Sequence, residues 1–359
     1  MRPSLRTIAR AAGVSVSTVS LALRGLAKVD PETKKRIDSE AARIGYVRDP
    51  QLSHALSFAR KTNKPVYRET LALLVDWPPG RLDEMPWLQE LGEGAANRAA
   101  ELGYAIETVL CRASAREQRA QSRQMSARGI RGLIVTPGIL RTPYTLDFAW
   151  SQFAAVEIGQ TLGPPALLRV FRDSADDYAG MFGELRLRGY RRIGLATTDH
   201  EEIRRHWAVL SAYLTFHHRN PGQVSPPALP SGAPKDFHRW LSREKPDVIV
   251  VNGSHMRDWL RETGWKLPGD IGLCRIDAFS GHDSGLRPDY AGMGRAAVGA
   301  LAANLERGEI GPPSAPPTLC IPNAWHEGTT LRARPADAPP LAIPLRRLTG
   351  REQPDRLKK

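Results

Sequence analysis

Residues 5–25 read LRTIARAAGVSVSTVSLALRG. Ile8 and Ala9 sit on a first helix that runs to about Ala12. Gly13 follows, where a tight turn between two helices wants a residue free to take positive φ. Ser15 can then cap a second helix, its hydroxyl accepting an orphan backbone N–H. Val19, Ala22 and Leu23 fall at i, i+3 and i+4 and make one apolar stripe. Val16, Ser17, Ser20, Leu21 and Arg24 fall on the other side. That face carries short side chains and a cation and is narrow enough for a DNA major groove. The pattern is a helix–turn–helix. An ordinary αα-hairpin would use the same small residues for packing alone.

Asp30-Pro31-Glu32-Thr33 opens a third helix, with Asp30 as N-cap and Pro31 at the first helical position. Ile37, Ala41 and Ile44 repeat at helical spacing and close a small three-helix core. Lys28, Lys34, Lys35 and Arg36 flank the start of that helix, as a solvated face or as phosphate contacts.

The segment TIARAAGVSVSTVSLALRG, followed by VDPETKKRIDSEAARIGYV, resembles the DNA-binding headpiece of the lactose-repressor (LacI/GalR) family of bacterial transcription regulators. The match includes the GVSxxTVSxAL core, the Pro-containing cap of the third helix and the closing Gly45-Tyr46. It implies a headpiece over 1–47 in which Val16, Ser17 and Leu21 face base edges. Thr7, Ser15, Thr18, Ser20 and Arg24 then hold phosphates, with Lys28 beside them. It also implies a hinge and linker over 48–68, where Leu52 and Leu56 are candidates to wedge into the minor groove. Arg48-Asp49 stand where the family has Pro-Asn, and a gapless register from Tyr46 puts Ala55 at the wedge position.

Charge supports a polyanionic partner for this part of the chain. Residues 1–68 hold 14 Lys and Arg against 5 Asp and Glu, so +9 of the total +13 lies there and +4 in the rest. Binding by such a domain should weaken steeply with salt. No run reaches the ~20 apolar residues of a spanning helix, and the N-terminus shows no apolar signal core. Cys111, Cys274 and Cys320 match no metal or redox spacing and read as reduced thiols. A cytoplasmic protein without membrane contact fits these features.

From Glu69 short apolar runs alternate with amphipathic helices. Strands are expected at 70–76, 105–110, 132–137, 154–158, 167–171, 193–197, 248–251 and 271–276, with a last one at 319–322. Helices are expected at 88–102, 117–128, 173–188, 202–217, 235–244, 253–263 and 291–307. The alternation predicts α/β architecture with parallel sheets covered on both faces. A break at 161–165 splits the strands into two groups, giving a two-lobed core over 69–334, with the chain crossing between lobes more than once. In family terms this resembles the periplasmic-binding-protein-like effector core. The helices at 88–102 and 117–128 are candidates for a dimer surface, or for packing within one lobe. Residues 335–359 are rich in Pro and Arg, lack a heptad and read as a disordered tail.

Catalytic signals are missing: no Gly-rich phosphate loop, no GxSxG elbow and no metal-ligand spacing. His200-Glu201 starts like a zinc motif, but His206 is six residues on, off the shared helix face. No catalytic residue, cofactor or metal ligand is named. In two-lobed α/β proteins ligands sit at the carboxyl ends of strands. Those ends, with the resemblance, name Trp77, Glu157, Arg172, Arg204, Asn252 and Asp277 as effector-binding candidates. Aromatic faces with Asn, Asp and Arg suit a polyhydroxylated molecule, a sugar or sugar derivative. Gly253 stands where the family has Asp after the Asn; the effector-gripping arginine is Arg204 or Arg205, while gapless counting lands on His206.

The expectation is therefore a homodimeric repressor that reads a pseudo-palindromic double-stranded operator under control of a small effector. Two alternatives remain open here: a DNA-binding regulator that answers to no effector, and an α/β enzyme core fused to a DNA-binding domain.

Overall fold

The computed structural model describes residues 5–22, 29–44, 69–76, 85–138, 144–221, 229–230, 233–253, 255–279 and 281–347. The headpiece is three helices, α1 (Leu5–Ala12), α2 (Val16–Ala22) and α3 (Pro31–Arg43). Gly13 takes φ +64° in the turn between the first two. Ile8, Ala9, Ala12, Val19, Ala22, Ile37 and Ala41 form its core, backed by Val14, Val29 and Ile44. Asp30 caps α3, accepting the Thr33 N–H at 3.0 Å.

The first lobe begins with β1 (Thr70–Val75), α4 (Pro86–Leu102), β2 (Ala105–Leu110), α5 (Ala115–Ala127), β3 (Gly132–Val135), β4 (Ala154–Ile158) and β5 (Leu168–Arg172). The chain then builds the second lobe from α6 (Ser174–Leu187), β6 (Ile193–Thr197), α7 (Asp199–Arg204), α8 (Ala208–Arg219), β7 (Leu229–Pro230), α9 (Pro234–Glu244), β8 (Val248–Val251), α10 (His255–Glu262), β9 (Gly272–Arg275) and β10 (Ser284–Arg287). It returns to the first lobe for α11 (Tyr290–Arg307) and β11 (Thr318–Ile321), and ends in the second with β12 (Ala324–His326) and β13 (Arg346–Arg347). The first sheet runs β11-β5-β4-β3-β1-β2, all parallel. The second runs β13-β12-β10-β9-β8-β6-β7, with β10 and β12 antiparallel.

Parallel strands covered on both faces must be apolar on both sides, and TLALLV, GLIV and AAVEI are. Leu71, Leu73, Val156 and Val170 face α4 and α11; Ala72, Leu74, Leu133 and Val135 face the opposite layer with Met125 and Phe153. Helices α4 and α11 touch backbone to backbone. A Cβ on Gly94 would lie 2.1 Å from the Ala291 carbonyl, and one on Gly294 would lie 2.2 Å from that of Leu91. The apolar stripe of α4 is thereby spent inside its own lobe.

The chain changes lobe at Arg172–Ser174, at Arg287–Tyr290 and at Ile321–Ala324. The first crossing corrects the expected division at 161–165. Strand β5, after that break, still pairs with β4 through Val156–Leu168 and Ile158–Val170. Asp177 ties two crossings together by accepting the Asn323 N–H at 2.9 Å, and burial pushes its carboxyl up to about 7.

Two further expectations are corrected. The helix expected over 202–217 is two helices, because His206 and Trp207 take φ of +47° and +61° between α7 and α8. Buried Glu202 holds the turn: it accepts the Thr197 hydroxyl at 2.8 Å and the Leu210 N–H at 3.1 Å. The tail expected to be disordered from Pro335 is packed as far as Arg347. Leu345 is buried against Gly180, β13 pairs with β12, and Arg334 and Arg347 both donate to the fully buried Glu184. The missing Cβ at Gly180 leaves the notch that Leu345 fills. Residues 348–359 lie outside the described residues.

Replacing Leu345 by Ala is expected to destabilise the chain by roughly 2–4 kcal/mol through the lost burial and the cavity left behind. Urea unfolding measures this, and an unchanged midpoint would mean that the terminal segment is not part of the packed second lobe.

Candidate functional site

Two surfaces carry the expected chemistry. On the headpiece, Ser15 caps α2: its Oγ accepts the Thr18 N–H at 3.0 Å and lies 2.8 Å from the Thr18 hydroxyl. Val19 and Ala22 turn into the headpiece core, and Val16 at the first position of α2 is exposed. Thr7 lies half-buried on α1. Ser17, Ser20 and Leu21 belong to α2, with side chains outside the described residues. Arg24, Lys28, Leu52, Leu56 and Trp77 lie outside the described residues altogether.

The second surface is a cleft of about 250 Å³ between the lobes, at the carboxyl ends of both sheets. Arg172 ends β5 in the first lobe, and Asp277 follows β9 in the second. Their side chains form an ion pair across the divide. Asp277 also accepts from Arg205 Nη2 at 3.3 Å, and the same nitrogen donates to the Asn252 side chain at 2.9 Å. Arg204 Nη1 reaches over to the Gly138 carbonyl at 2.6 Å. Both arginines stand at the strained turn after α7, where two non-glycine residues in the left-handed region cost on the order of 1–2 kcal/mol each. That turn ends α7 where its last residues meet the cleft.

Burial opposes the charge on Asp277, but the Arg172 and Arg205 guanidiniums outweigh it and hold the carboxyl below its usual range. Burial likewise opposes the charge on Arg172, and Asp277 outweighs it and raises the guanidinium above its usual value. The pair is thus fully ionised near neutral pH. An aromatic wall completes the cleft. Tyr290 stacks on Phe279 at 5.5 Å and 12° between planes, and Trp87 packs on Tyr290 at 5.7 Å. A second tie between lobes pairs Arg287 with Glu90.

Of the expected effector residues, Arg172, Arg204, Asn252 and Asp277 meet in this cleft. Arg205, the alternative to Arg204, lines it as well. Glu157 does not, which corrects its assignment. It is buried, accepting the Leu162 N–H at 3.0 Å and Arg169 Nε at 3.3 Å, and it shapes the loop after β4 from within. Trp87, Phe279 and Tyr290 are not among the expected residues. Phe279 lies two residues beyond Asp277, and Tyr290 opens the helix after β10, a strand whose Ser-Gly-Leu-Arg sequence gives little signal. Among the described residues no cluster of three or more His, Cys, Asp or Glu is placed to hold a metal. None of the described helices is long and apolar enough to cross a membrane.

Residues 4–49 match the model for bacterial regulatory proteins of the lacI family. Over these residues the headpiece is similar to that of the LacI family. The HTH-type transcriptional regulator GntR of Pseudomonas aeruginosa is 40% identical over 74 residues, 21% of either chain. The regulator MalR of Streptococcus pneumoniae is 25% identical over 164 residues, 46% of this chain and 48% of that one. The alignments therefore span a fifth to a half of these curated relatives. Solved structures match over nearly the whole chain and show its fold. A transcriptional regulator CelR–cellobiose complex gives TM-score 0.56 at 18% identity, covering 92% of this chain and all of that one. A lac repressor dimer bound to operator and the anti-inducer ONPF gives 0.55 at 17%, with the same coverage. The fold shared with these structures extends from the headpiece through both lobes.

Replacing Asp277 by Ala leaves two buried guanidiniums without their shared carboxylate and is expected to cost roughly 3–5 kcal/mol. Because the folded carboxyl titrates below its unfolded value of ~3.9, its stabilisation is present above that pH and is lost as pH falls through the lower folded value. Denaturant unfolding against pH should show a constant gap between parent and variant from neutral to about pH 5, shrinking below ~4. No gap at neutral pH would show that the ion pair does not join the lobes.

Proposed function

We propose that this chain is a dimeric, sequence-specific DNA-binding transcriptional regulator, a repressor, whose hold on DNA is set by a small sugar-like effector in the interlobe cleft. The observation that carries the reading is the exposed start of α2 on a LacI-family headpiece, with Val16 outward while Val19 and Ala22 bury. Two headpieces of a dimer would enter successive major grooves of a pseudo-palindromic site. Val16, Ser17 and Leu21 read base edges, and an apolar side chain there favours thymine methyls. Thr7, Ser15, Thr18, Ser20, Arg24 and Lys28 hold phosphates, and Leu52 and Leu56 belong to the joint over 48–68. The protein acts in the cytoplasm, where its DNA is.

Effector control is supported by the cleft. Its polar groups come from both lobes, so a ligand's contacts change with the angle between them. A ligand shifts an equilibrium only by its differential affinity for the two arrangements. The aromatic wall and the Asn252–Arg205–Asp277 set suit C–H faces and hydroxyls. The similar structures that hold cellobiose or ONPF favour the same class of ligand. Trp77, outside the described residues, follows the carboxyl end of β1 in the sequence and is proposed as a further contact. The similar proteins are regulators, which favours this reading over an enzyme core joined to a headpiece.

Selection of duplexes from a random pool by the full chain should enrich a two-fold symmetric sequence. Its affinity should fall steeply with salt, since the headpiece neutralises several phosphates. The double variant Val16→Ala, Ser17→Ala should enrich a different sequence while binding non-specific DNA as before. Enrichment of no sequence would refute the proposal, and an equal loss of specific and non-specific binding would refute the assignment of base readers.

A further inference from the structure

Three crossings carry the chain between the lobes, and any change in the angle between lobes must bend them. The first and third are joined by one bond. Asp177, in the first turn of α6 just past the first crossing, accepts the Asn323 N–H of the third through its Oδ2 at 2.9 Å. Both residues are buried, Asp177 with 4% of its surface exposed and Asn323 with 0%. The Asn323 side chain stands out: neither its Oδ1 nor its Nδ2 meets a hydrogen-bond partner among the described residues. A buried amide left in that condition costs free energy and calls for a reason. An ionised Asp177 cannot satisfy Oδ1, because a carboxylate only accepts. A protonated one can, since it gains an O–H and keeps accepting capacity.

We propose that Asp177 is a proton-operated latch at the hinge: ionised, it grips the third crossing through the Asn323 N–H, and on taking one proton from solvent it turns the new O–H to the Asn323 side-chain oxygen and relaxes that grip. A hydrogen bond to a charged acceptor is roughly twice as strong as one between neutral groups, so the two forms hold the crossing differently. The surroundings bring both forms within reach. Burial and the carboxylates of Asp173 and Asp176, on the same helix, press the group toward its neutral form. The Asn323 N–H and the Arg172 guanidinium at the end of β5 oppose them, and the carboxyl is left at about 7. Arg172 is at the same time engaged by Asp277 across the cleft. The latch therefore responds to acidity near neutral pH. It needs no occupant of the cleft and no DNA, so it stands or falls apart from the regulator reading.

The test uses the full chain labelled with nitrogen-15 at asparagine and read by NMR from pH 5.5 to 8.5. The backbone and side-chain signals of Asn323 are identified by their loss in Asn323→Ala. Both should shift together with one midpoint near 7. Neither should shift in Asp177→Asn, which keeps an acceptor but cannot ionise. Exchange of the Asn323 N–H with solvent deuterium, corrected for its intrinsic pH dependence, reports how firmly that bond is held. It should be at least threefold faster in Asp177→Asn than in the parent at pH 8, and equal in the two at pH 5.5. Asn323 signals that do not move, signals that move equally in the variant, or an exchange ratio constant with pH would overturn the proposal. A constant ratio is what a purely structural carboxyl would give. Should Asp177→Asn not fold, Asn323→Ala labelled at alanine carries the comparison. It removes the acceptor of the new O–H, so the N–H at position 323 should titrate at lower pH than in the parent. An unchanged midpoint contradicts the latch.

Discussion

One carboxylate holds the cleft together. Asp277 extends from the end of a strand in the second lobe, and two guanidiniums converge on it, Arg172 from the first lobe and Arg205 from the second. Burying three charges stabilises little by comparison with a packed apolar contact of the same volume. What the arrangement supplies is direction. The lobes meet where these groups satisfy one another, and removal of Asp277 deprives both arginines of their shared carboxylate.

The chain around this point ties the two lobes together at several places. It passes between lobes three times within reach of the cleft, at Arg172–Ser174, Arg287–Tyr290 and Ile321–Ala324. Asp177 bonds the Asn323 N–H, so the first and third crossings move together. Arg287, beside the second, pairs with Glu90 on α4, and α4 is locked to α11 through Gly94 and Gly294. These contacts join the two covering helices of the first lobe to the residues beside the cleft. The strained turn at His206 and Trp207 fits the same picture, since Glu202 holds the backbone in an unfavourable region beside the arginines of the cleft.

Much of this was legible in the residues. The headpiece follows from spacing alone, because a small domain has few ways to bury Ile8, Val19 and Ile37 together. The long apolar strands of both lobes are equally plain, since β1, β4, β6 and β8 are buried on both faces and contain almost nothing polar. The short elements β10, β12 and β13 are not legible. Their sequences SGLR, AWH and RR carry no period, and they become strands only because neighbours placed by distant chain offer them hydrogen bonds. The terminal segment reads as disordered for a related reason: composition cannot reveal the notch at Gly180 that receives Leu345 or the buried Glu184 that receives Arg347. At the cleft, strand ends predicted positions but not directions. Glu157 and Arg172 both occupy strand ends, yet one bends back to the Leu162 N–H while the other enters the cleft. Spacing left Arg204 and Arg205 as alternatives, because a turn with positive φ at non-glycine residues brings both to the cleft. Trp87 was hidden because a helix start at Pro86 sets where it points.

The proposed regulator requires that the tie across the cleft and the headpiece be energetically coupled. The most direct measurement is the affinity of the full chain and of its Arg172→Gln variant for the selected duplex and for random duplex, by fluorescence anisotropy at one salt concentration. Coupling of 1–3 kcal/mol between sites corresponds to roughly 5–150-fold in affinity. Coupling of this size gives at least a fivefold change for the selected duplex with random-duplex binding unaltered. Equal affinity of both proteins for the selected duplex would contradict it.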